Sequence, residues 1–318
     1  MENKLLTLII PFLNEGEEVE NTLISILSHS NGNVEIILIN DASTDGFDYS
    51  LIAEKYGFVY VENEKRIGVA ASRDLGVFLC QTPYFLLLDA HMRFYDNLWV
   101  DKIVSQLKKY SRILLCCQTK HLIHNEEGKV VEQKTNTPYG AYIDFDNSDN
   151  ILNIEWTYTK IPHALDSDET RIACVLGAGY ACSKMYWLYL KGLNGLIYYG
   201  SDEAYISMKV WLEGGKCLLL EDVVIGHIYR KWWPYSVEKQ HTLYNSLLIA
   251  ELLLPETLRK QLYTQAQSFL PEKYNESLSI LKNNEKDISA LKSYYKQIFK
   301  NDFQLFMEIN TLAQGRKN

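Results

Sequence analysis

The chain has 318 residues, 47% hydrophobic and 23% charged, which fits one large globular domain or one domain with an appendage. A net charge of −8, a pI of about 5.5 and the lack of any Lys- or Arg-rich block argue against nucleic acid as a partner. The most apolar stretch, residues 247–254, carries Glu251 and stops at Pro255, far short of the roughly 20 residues a transmembrane helix requires, so no transmembrane segment is expected.

The N-terminus runs almost directly into a strand-like segment, without a basic segment, a long apolar core or a small-residue cleavage site. Cys80, Cys116, Cys117, Cys174, Cys182 and Cys217 sit mostly in apolar company and form no C-x-x-C pair, so they read as reduced core residues of a cytoplasmic protein. Residues 5–10 read as the first strand. Asn14 is then a candidate N-cap, Glu15, Glu17 and Glu18 suit a first helical turn, and Val19, Leu23, Ile26 and Leu27 share one helical face. Residues 34–39, 58–61 and 84–88 are further strands, with helix-like stretches over 68–80 and 98–110. This alternation predicts an α/β fold with parallel strands and crossover helices.

From 130 to 168 the pattern loosens into Asn- and Asp-rich sequence carrying Trp156 and Tyr158, which predicts loops or short strands around a substrate opening. Regularity returns at Ile172. Beyond Pro234 the period is helical, marked by Leu278, Leu281, Ile288, Leu291, Tyr295 and Ile298. A first domain over 1–236, which the resemblance below makes the catalytic one, and a helical extension over 237–318 follow. The aromatic residues of that extension, Tyr294, Tyr295, Phe299, Phe303 and Phe306, suit internal packing or a homodimer surface.

Three clusters carry candidate chemistry. Leu86-Leu87-Leu88-Asp89-Ala90-His91 is a buried-strand run that delivers an acid and an imidazole to its carboxyl end, where open α/β sheets bind ligands. An Asp in that place is also a common turn former. The β-branched run at 223–225 leads to His227, followed by Arg230 and Lys231; His227 could close a metal site begun by Asp89 and His91, or be an ordinary strand-end histidine. Two imidazoles and a carboxylate suit Mn²⁺ better than Mg²⁺ or Ca²⁺, and the two cations would neutralise phosphate charge. The third cluster is Asp202-Glu203, which opens an amphipathic helix after Gly200. Acids there favour the helix dipole, and rigid rim carboxylates also suit proton abstraction from a hydroxyl or a hydrogen bond to a sugar.

Other features fit less well. His121-x-x-His124 is read as a solvated strand exit, and Trp232-Trp233 as either a sugar-stacking platform or a hinge.

The ordered set of Asp-x-His, Gly-Ser-Asp-Glu, Gly214-Gly215 and Gly226-His227-Ile228-Tyr229-Arg230-Lys231 with Pro234-Tyr235 resembles family 2-like glycosyltransferases of the GT-A fold. It is most similar to the catalytic domain of polypeptide N-acetylgalactosaminyltransferases, over about residues 5–236. The resemblance implies a Rossmann-like, mostly parallel sheet flanked by helices. It implies a UDP-sugar donor, with Mn²⁺ or alternatively Mg²⁺ on Asp89, His91 and His227.

It further implies that Asp41 contacts uracil and that Pro11 with the Asn14-Glu15 turn flanks the nucleoside. Arg66, Gly68 and Arg73 would lie near the nucleotide, beside Asp89-Ala90. Arg230, Lys231 and Tyr235 would face the diphosphate from a closing loop, Gly177-Ala178-Gly179 would let backbone approach the sugar, and Asp202 would hold sugar hydroxyls.

One departure bears on mechanism. Glu203 stands where the retaining relatives carry Asn, and an acid there is the pattern of inverting family 2 enzymes, with Glu203 as general base. A retaining enzyme, or a catalytically silent UDP-sugar sensor or scaffold, is the alternative. A sugar nucleotidyltransferase would carry a Gly-rich, basic signature where this chain reads Pro11-Phe12-Leu13-Asn14-Glu15. The acceptor, whether peptide, glycan or lipid-linked, is left open, as is the choice between hexose and N-acetylhexosamine.

Overall fold

A computed structural model describes residues 4–162 and 169–315. Expectations for 163–168 lie outside the described residues. The chain opens with β1 (Leu6–Phe12), α1 (Glu18–His29), β2 (Val34–Asn40), α2 (Tyr49–Tyr56), β3 (Val59–Glu62), α3 (Val69–Leu79) and β4 (Tyr84–Leu88), in the alternation its periodicity predicts. Every residue of β1 is buried, which is why its sequence, LTLIIPF, is nearly continuous in apolar residues instead of alternating.

Next come β5 (Met92–Phe94), α4 (Trp99–Lys109), β6 (Ile113–His124), β7 (Val130–Glu132), β8 (Ala141–Asp144), β9 (Asn153–Trp156), β10 (Thr170–Arg171) and β11 (Gly179–Ser183). Then follow α5 (Lys184–Tyr189), α6 (Asp202–Glu213) and β12 (Lys216–Ile228). The main sheet has the order β10-β12-β6-β11-β4-β1-β2-β3, with β5 paired to β12 and β7 to β6. It is mixed: β1, β2, β3 and β4 are parallel, as are β6 and β12, while β11 runs antiparallel between β4 and β6. The loosely patterned stretch supplies β7 and the separate β8–β9 hairpin.

Five helices complete the described residues: α7 (Lys239–Leu253), α8 (Glu256–Phe269), α9 (Pro271–Asn283), α10 (Glu285–Ile298) and α11 (Phe303–Ala313). Their apolar faces join one core with the sheet, where Leu247, Leu248, Tyr295 and Phe306 cluster with Ile9, Leu87 and Leu114. Asn310 of α11 extends the β8 edge, accepting from the Ile143 amide and donating to its carbonyl, each at 2.8 Å. The opposite sheet face is covered by Leu23, Ile52 and Ile103 of α1, α2 and α4. No helix among the described residues is long and apolar enough to cross a membrane.

Register positions the site. Phe12 pairs with Asn40 and Ile9 with Leu87, so β1, β2 and β4 end along one edge, and Glu15, Asp41 and Asp89 leave from it. β12 reaches the same edge through an irregularity between Leu220 and Val224, beyond which His227 lies opposite Met92 of β5.

The N-cap expectation for Asn14 is overturned. α1 starts at Glu18 with Glu17 at its cap and no side-chain capping bond. Asn14 instead takes a φ of 57° in the turn after β1; its Oδ1 accepts from the Thr44 amide at 2.7 Å and its Nδ2 donates to the Pro234 carbonyl at 3.1 Å. Asparagine's tolerance of left-handed backbone suits this turn, and its amide reaches two other loops.

Candidate active site

A cavity of about 480 Å³ opens at this sheet edge. Asp89, His91 and His227 meet in its wall, with one potential ligand atom from each lying within 4.8 Å of the others. The Nε2 atoms of the two imidazoles are 3.0 Å apart, and Asp89 Oδ2 is 3.4 Å from His227 Nε2. The backbone holds them there: Ile228 donates to the His91 carbonyl at 3.1 Å, and Asp89 to the Ala178 carbonyl at 3.3 Å.

Electrostatics keep Asp89 and His227 in the protonation states a cation requires. Burial pushes the His227 pKa down, aided by the His91 and Arg230 charges and opposed by Asp89, which favours a neutral ring with a free lone pair. Burial by itself raises Asp89, but the His227 hydrogen bond and the Arg73 and His91 charges outweigh it and hold the carboxyl well below the usual range.

Arg73 binds the floor together. Its buried guanidinium donates to Asp89 Oδ1 and the Gly177 carbonyl, each at 3.2 Å, to Tyr180 Oη at 3.2 Å, and to Asp202 in a close ion pair. Resemblance puts Arg73 beside the nucleotide; it lines the cavity as a brace between two carboxylates. Asp202 and Glu203 enter through a strained lead-in, with φ of 49° at Tyr198, 97° at Gly200 and 69° at Ser201. Asp202 is buried against Arg73, and Glu203 is half-buried and faces the cavity. The Glu203 carboxyl is pushed up to about 8, first by burial and then by the adjacent Asp202 charge, with Arg73 opposing.

Gly177 sits against this carboxylate. A Cβ there would lie 2.0 Å from Glu203 Oε1, so its smallness makes room for Glu203, whereas resemblance gives it to the sugar. Ala178 also lines the cavity, but Gly179 does not; a Cβ on Gly179 would strike Ile225.

Asp41 is buried in the floor, accepting from the Ile67 and Gly68 amides at 2.8 Å and from Asn63 Nδ2 at 2.9 Å. Gly68 contributes that amide from outside the cavity lining, at a φ of 92° and against the Tyr198 backbone, which a Cβ would meet at 2.1 Å. Pro11 lines the cavity; Ala90 is buried behind it, its carbonyl accepting from Thr22 Oγ1 at 2.7 Å. Glu15 reaches His91 and Arg230. Its carboxyl is raised by burial but held below the usual range by those two partners.

Arg66 and Tyr235 also line the cavity, the guanidinium 5.1 Å from the ring centroid, and Arg66 donates to the Ser236 carbonyl at 2.9 Å. Lys231 is exposed and outside the lining, so of the two expected phosphate cations only Arg230 faces the cavity. Sequence reasoning misses Tyr180, Tyr198, Tyr199 and Tyr229. Tyr180 lies under Arg73 and the others form cavity wall; no spacing marks them, because β11, a backbone turn and the end of β12 bring them in separately. His121 stacks on Tyr229, with ring centroids 4.1 Å apart.

Fold and cavity together define the class: the chain has the GT-A fold and resembles the catalytic domain of polypeptide N-acetylgalactosaminyltransferases. Residues 7–160 match the family Glycosyl transferase family 2. Human polypeptide N-acetylgalactosaminyltransferase 10 is 27% identical over 269 residues, covering 79% of this chain and 42% of that protein, so the chain spans less than half of this relative. Among solved structures, GalNAc-T7 with UDP, GalNAc and Mn²⁺ superposes with a TM-score of 0.74 at 24% identity, covering 97% of this chain and 57% of the other. S. aureus TarS 1-349 with UDP-GlcNAc gives 0.54 at 16% identity, covering 98% and 92%.

Proposed function

We propose that the chain transfers a hexose or N-acetylhexosamine from a UDP-sugar to a hydroxyl-bearing acceptor on a peptide, glycan or lipid, with inversion at the anomeric carbon. The observation that carries this reading is the pairing, across one cavity, of a two-histidine, one-carboxylate cluster beside Arg230 with the half-buried Glu203. Similar proteins solved with UDP, GalNAc and Mn²⁺, or with UDP-GlcNAc, support the donor class.

Asp89, His91 and His227 would hold a divalent cation. Two facing imidazole nitrogens and a charged carboxylate fit Mn²⁺ ahead of Mg²⁺, which prefers oxygen. When bound, that cation supplies Lewis-acid neutralisation of charge on the departing diphosphate. Arg230 adds a fixed positive charge on the same side. Pro11 and Asp41 flank the nucleoside end, and Arg73 keeps Asp89 and Asp202 in place from below. Glu203, its pKa pushed up to about 8, takes the proton of the acceptor hydroxyl as its oxygen attacks the anomeric carbon and UDP leaves from the opposite face. The six cysteines are all buried and unpaired, which supports a cytoplasmic location.

NMR of the newly made linkage tests the stereochemistry: a β-linkage from an α-linked UDP-sugar is expected, and an α-linkage overturns inversion. Turnover tests the class. Asp89→Ala and His227→Ala should each abolish metal-dependent consumption of UDP-sugar, including slow hydrolysis. Full activity in either variant ends the metal reading, while a wild-type chain that binds donor without any turnover is a sensor or scaffold.

A further inference from the structure

Glu15 is a buried acid, its side chain 5% exposed, in the turn after β1. Its Oε2 accepts a close ion-pair contact from Nη2 of Arg230 and lies 3.3 Å from Nδ1 of His91. The same Arg230 nitrogen lies 2.6 Å from that Nδ1. The other ring nitrogen of His91, Nε2, faces His227. One imidazole nitrogen is thus contested by an acid and a cation, while the second points at the ligand cluster.

We infer that Glu15 is a positioning residue that sets the tautomer of His91 against the opposing pull of Arg230. The inference deepens the metal reading of Asp89, His91 and His227 and rests on it for its purpose. A neutral imidazole carries one proton. A carboxylate only accepts, so Glu15 stabilises the form with hydrogen on Nδ1, which leaves the Nε2 lone pair facing the cluster. A guanidinium only donates, so Arg230 stabilises the opposite form, with hydrogen on Nε2 and no lone pair there to give a cation. Glu15 prevails by two routes through one oxygen: it takes the Nδ1 proton, and it occupies the Arg230 donor that would otherwise hold the wrong tautomer. The arrangement also gives Arg230, whose loop leads on to Trp232 and Trp233, a fixed anchor beside the metal ligands.

The tautomer is read directly by ¹⁵N NMR of the imidazoles in the metal-free full chain at a pH where the rings are neutral. Wild-type His91 should carry its proton on Nδ1, and Glu15→Gln should move it to Nε2. Arg230→Gln alone should leave it unchanged. Mn²⁺ affinity measured by calorimetry should fall by about 10–100-fold in Glu15→Gln, and the shift in tautomer is the readout that a merely structural role would not give. A wild-type ring already protonated on Nε2, or a tautomer indifferent to Glu15→Gln, overturns the inference. A tautomer that responds as stated in a chain that binds no Mn²⁺ supports the Glu15 device and fails the metal reading instead. Melting curves establish that each variant is folded, and the wild-type tautomer remains the deciding measurement should Glu15→Gln unfold.

Discussion

The floor of the cavity and its mouth are built on different principles. Floor residues leave the ends of packed parallel strands and adjacent helices, and most of their polar atoms are paired, Arg73 Nε being an exception. Asp41 is held by two amides and Asn63, and Arg73 by two carboxylates, a carbonyl and a tyrosine. The mouth, at residues 229–238, is irregular backbone tied to the floor by Asn14 on the Pro234 carbonyl, Arg66 on the Ser236 carbonyl and Arg230 on Glu15. It presents Trp232 at 85% exposure. Substitutions in the floor should therefore damage chemistry or folding, and substitutions in the mouth should damage recognition.

The largest effect on chemistry should come from Glu203. Glu203→Gln should lower the rate of transfer by about 10²–10⁴-fold without a matching loss of thermal stability, as expected for loss of a general base. The pH profile supplies a second check. With its pKa pushed up to about 8, Glu203 is mostly protonated and inactive as a base below that pH. The kcat/KM value should therefore climb by on the order of tenfold per pH unit up to the inflection and then level. Asp202→Asn removes the negative neighbour that helps raise Glu203 and should move the inflection to lower pH; an unmoved inflection assigns it to another group.

Arg73 should dominate folding. Arg73→Ala leaves Asp202 and Asp89 without their shared cation, and breaking such a buried pair costs about 3–5 kcal/mol, readable as a lowered denaturation midpoint. Arg73→Lys should not restore it, because one ammonium cannot present two separate nitrogens to the two carboxylates in the planar geometry of a guanidinium.

Gly177→Ala separates geometry from stability more finely. The atom its Cβ would meet is the far end of the Glu203 side chain, so the fold can yield by swinging the carboxylate aside. Transfer should fall by about 10²-fold, the scale of a misplacement near 1 Å, while melting changes little. A large drop in stability would place the collision in the backbone instead.

Most of the floor was legible in the sequence because strand ends announce themselves. An apolar run that stops at Asp89 or at His227 fixes both the direction of the strand and the edge where its next residue emerges. The antiparallel β11 was not legible, since residues 179–183 are as apolar as a parallel interior strand and carry no turn signature. Nor was the work of Glu15: its spacing from the first strand suits a helix-start acid, and only the return of β12 to the same edge brings His91 and Arg230 to it. The tail read as an extension from its helical period. Its packing into the core of the sheet depends on which residues face inward across α7, α10 and α11, and period alone does not name their partner.

The mouth gives the smallest expected effects and the sharpest contrast with the floor. Trp232 and Trp233 are neighbours in sequence, yet Trp233 packs edge-on to Tyr199 at 4.6 Å between centroids and contacts Tyr235 at 5.7 Å, while Trp232 borders the cavity and is mostly exposed. Trp233→Ala should cost about 0.5–1.5 kcal/mol of local packing and loosen the cavity wall, raising the KM for donor. Trp232→Ala should stay within about 0.5 kcal/mol of wild-type stability and leave hydrolysis of the donor in the absence of acceptor unchanged. If Trp232 is a stacking platform, its loss should raise the KM for the sugar-bearing or apolar acceptor by several-fold while kcat holds. If it is a hinge, kcat and KM should shift together and donor hydrolysis should shift with them. Measuring transfer and hydrolysis side by side in this one variant decides between the two, because only the hinge reaches the floor.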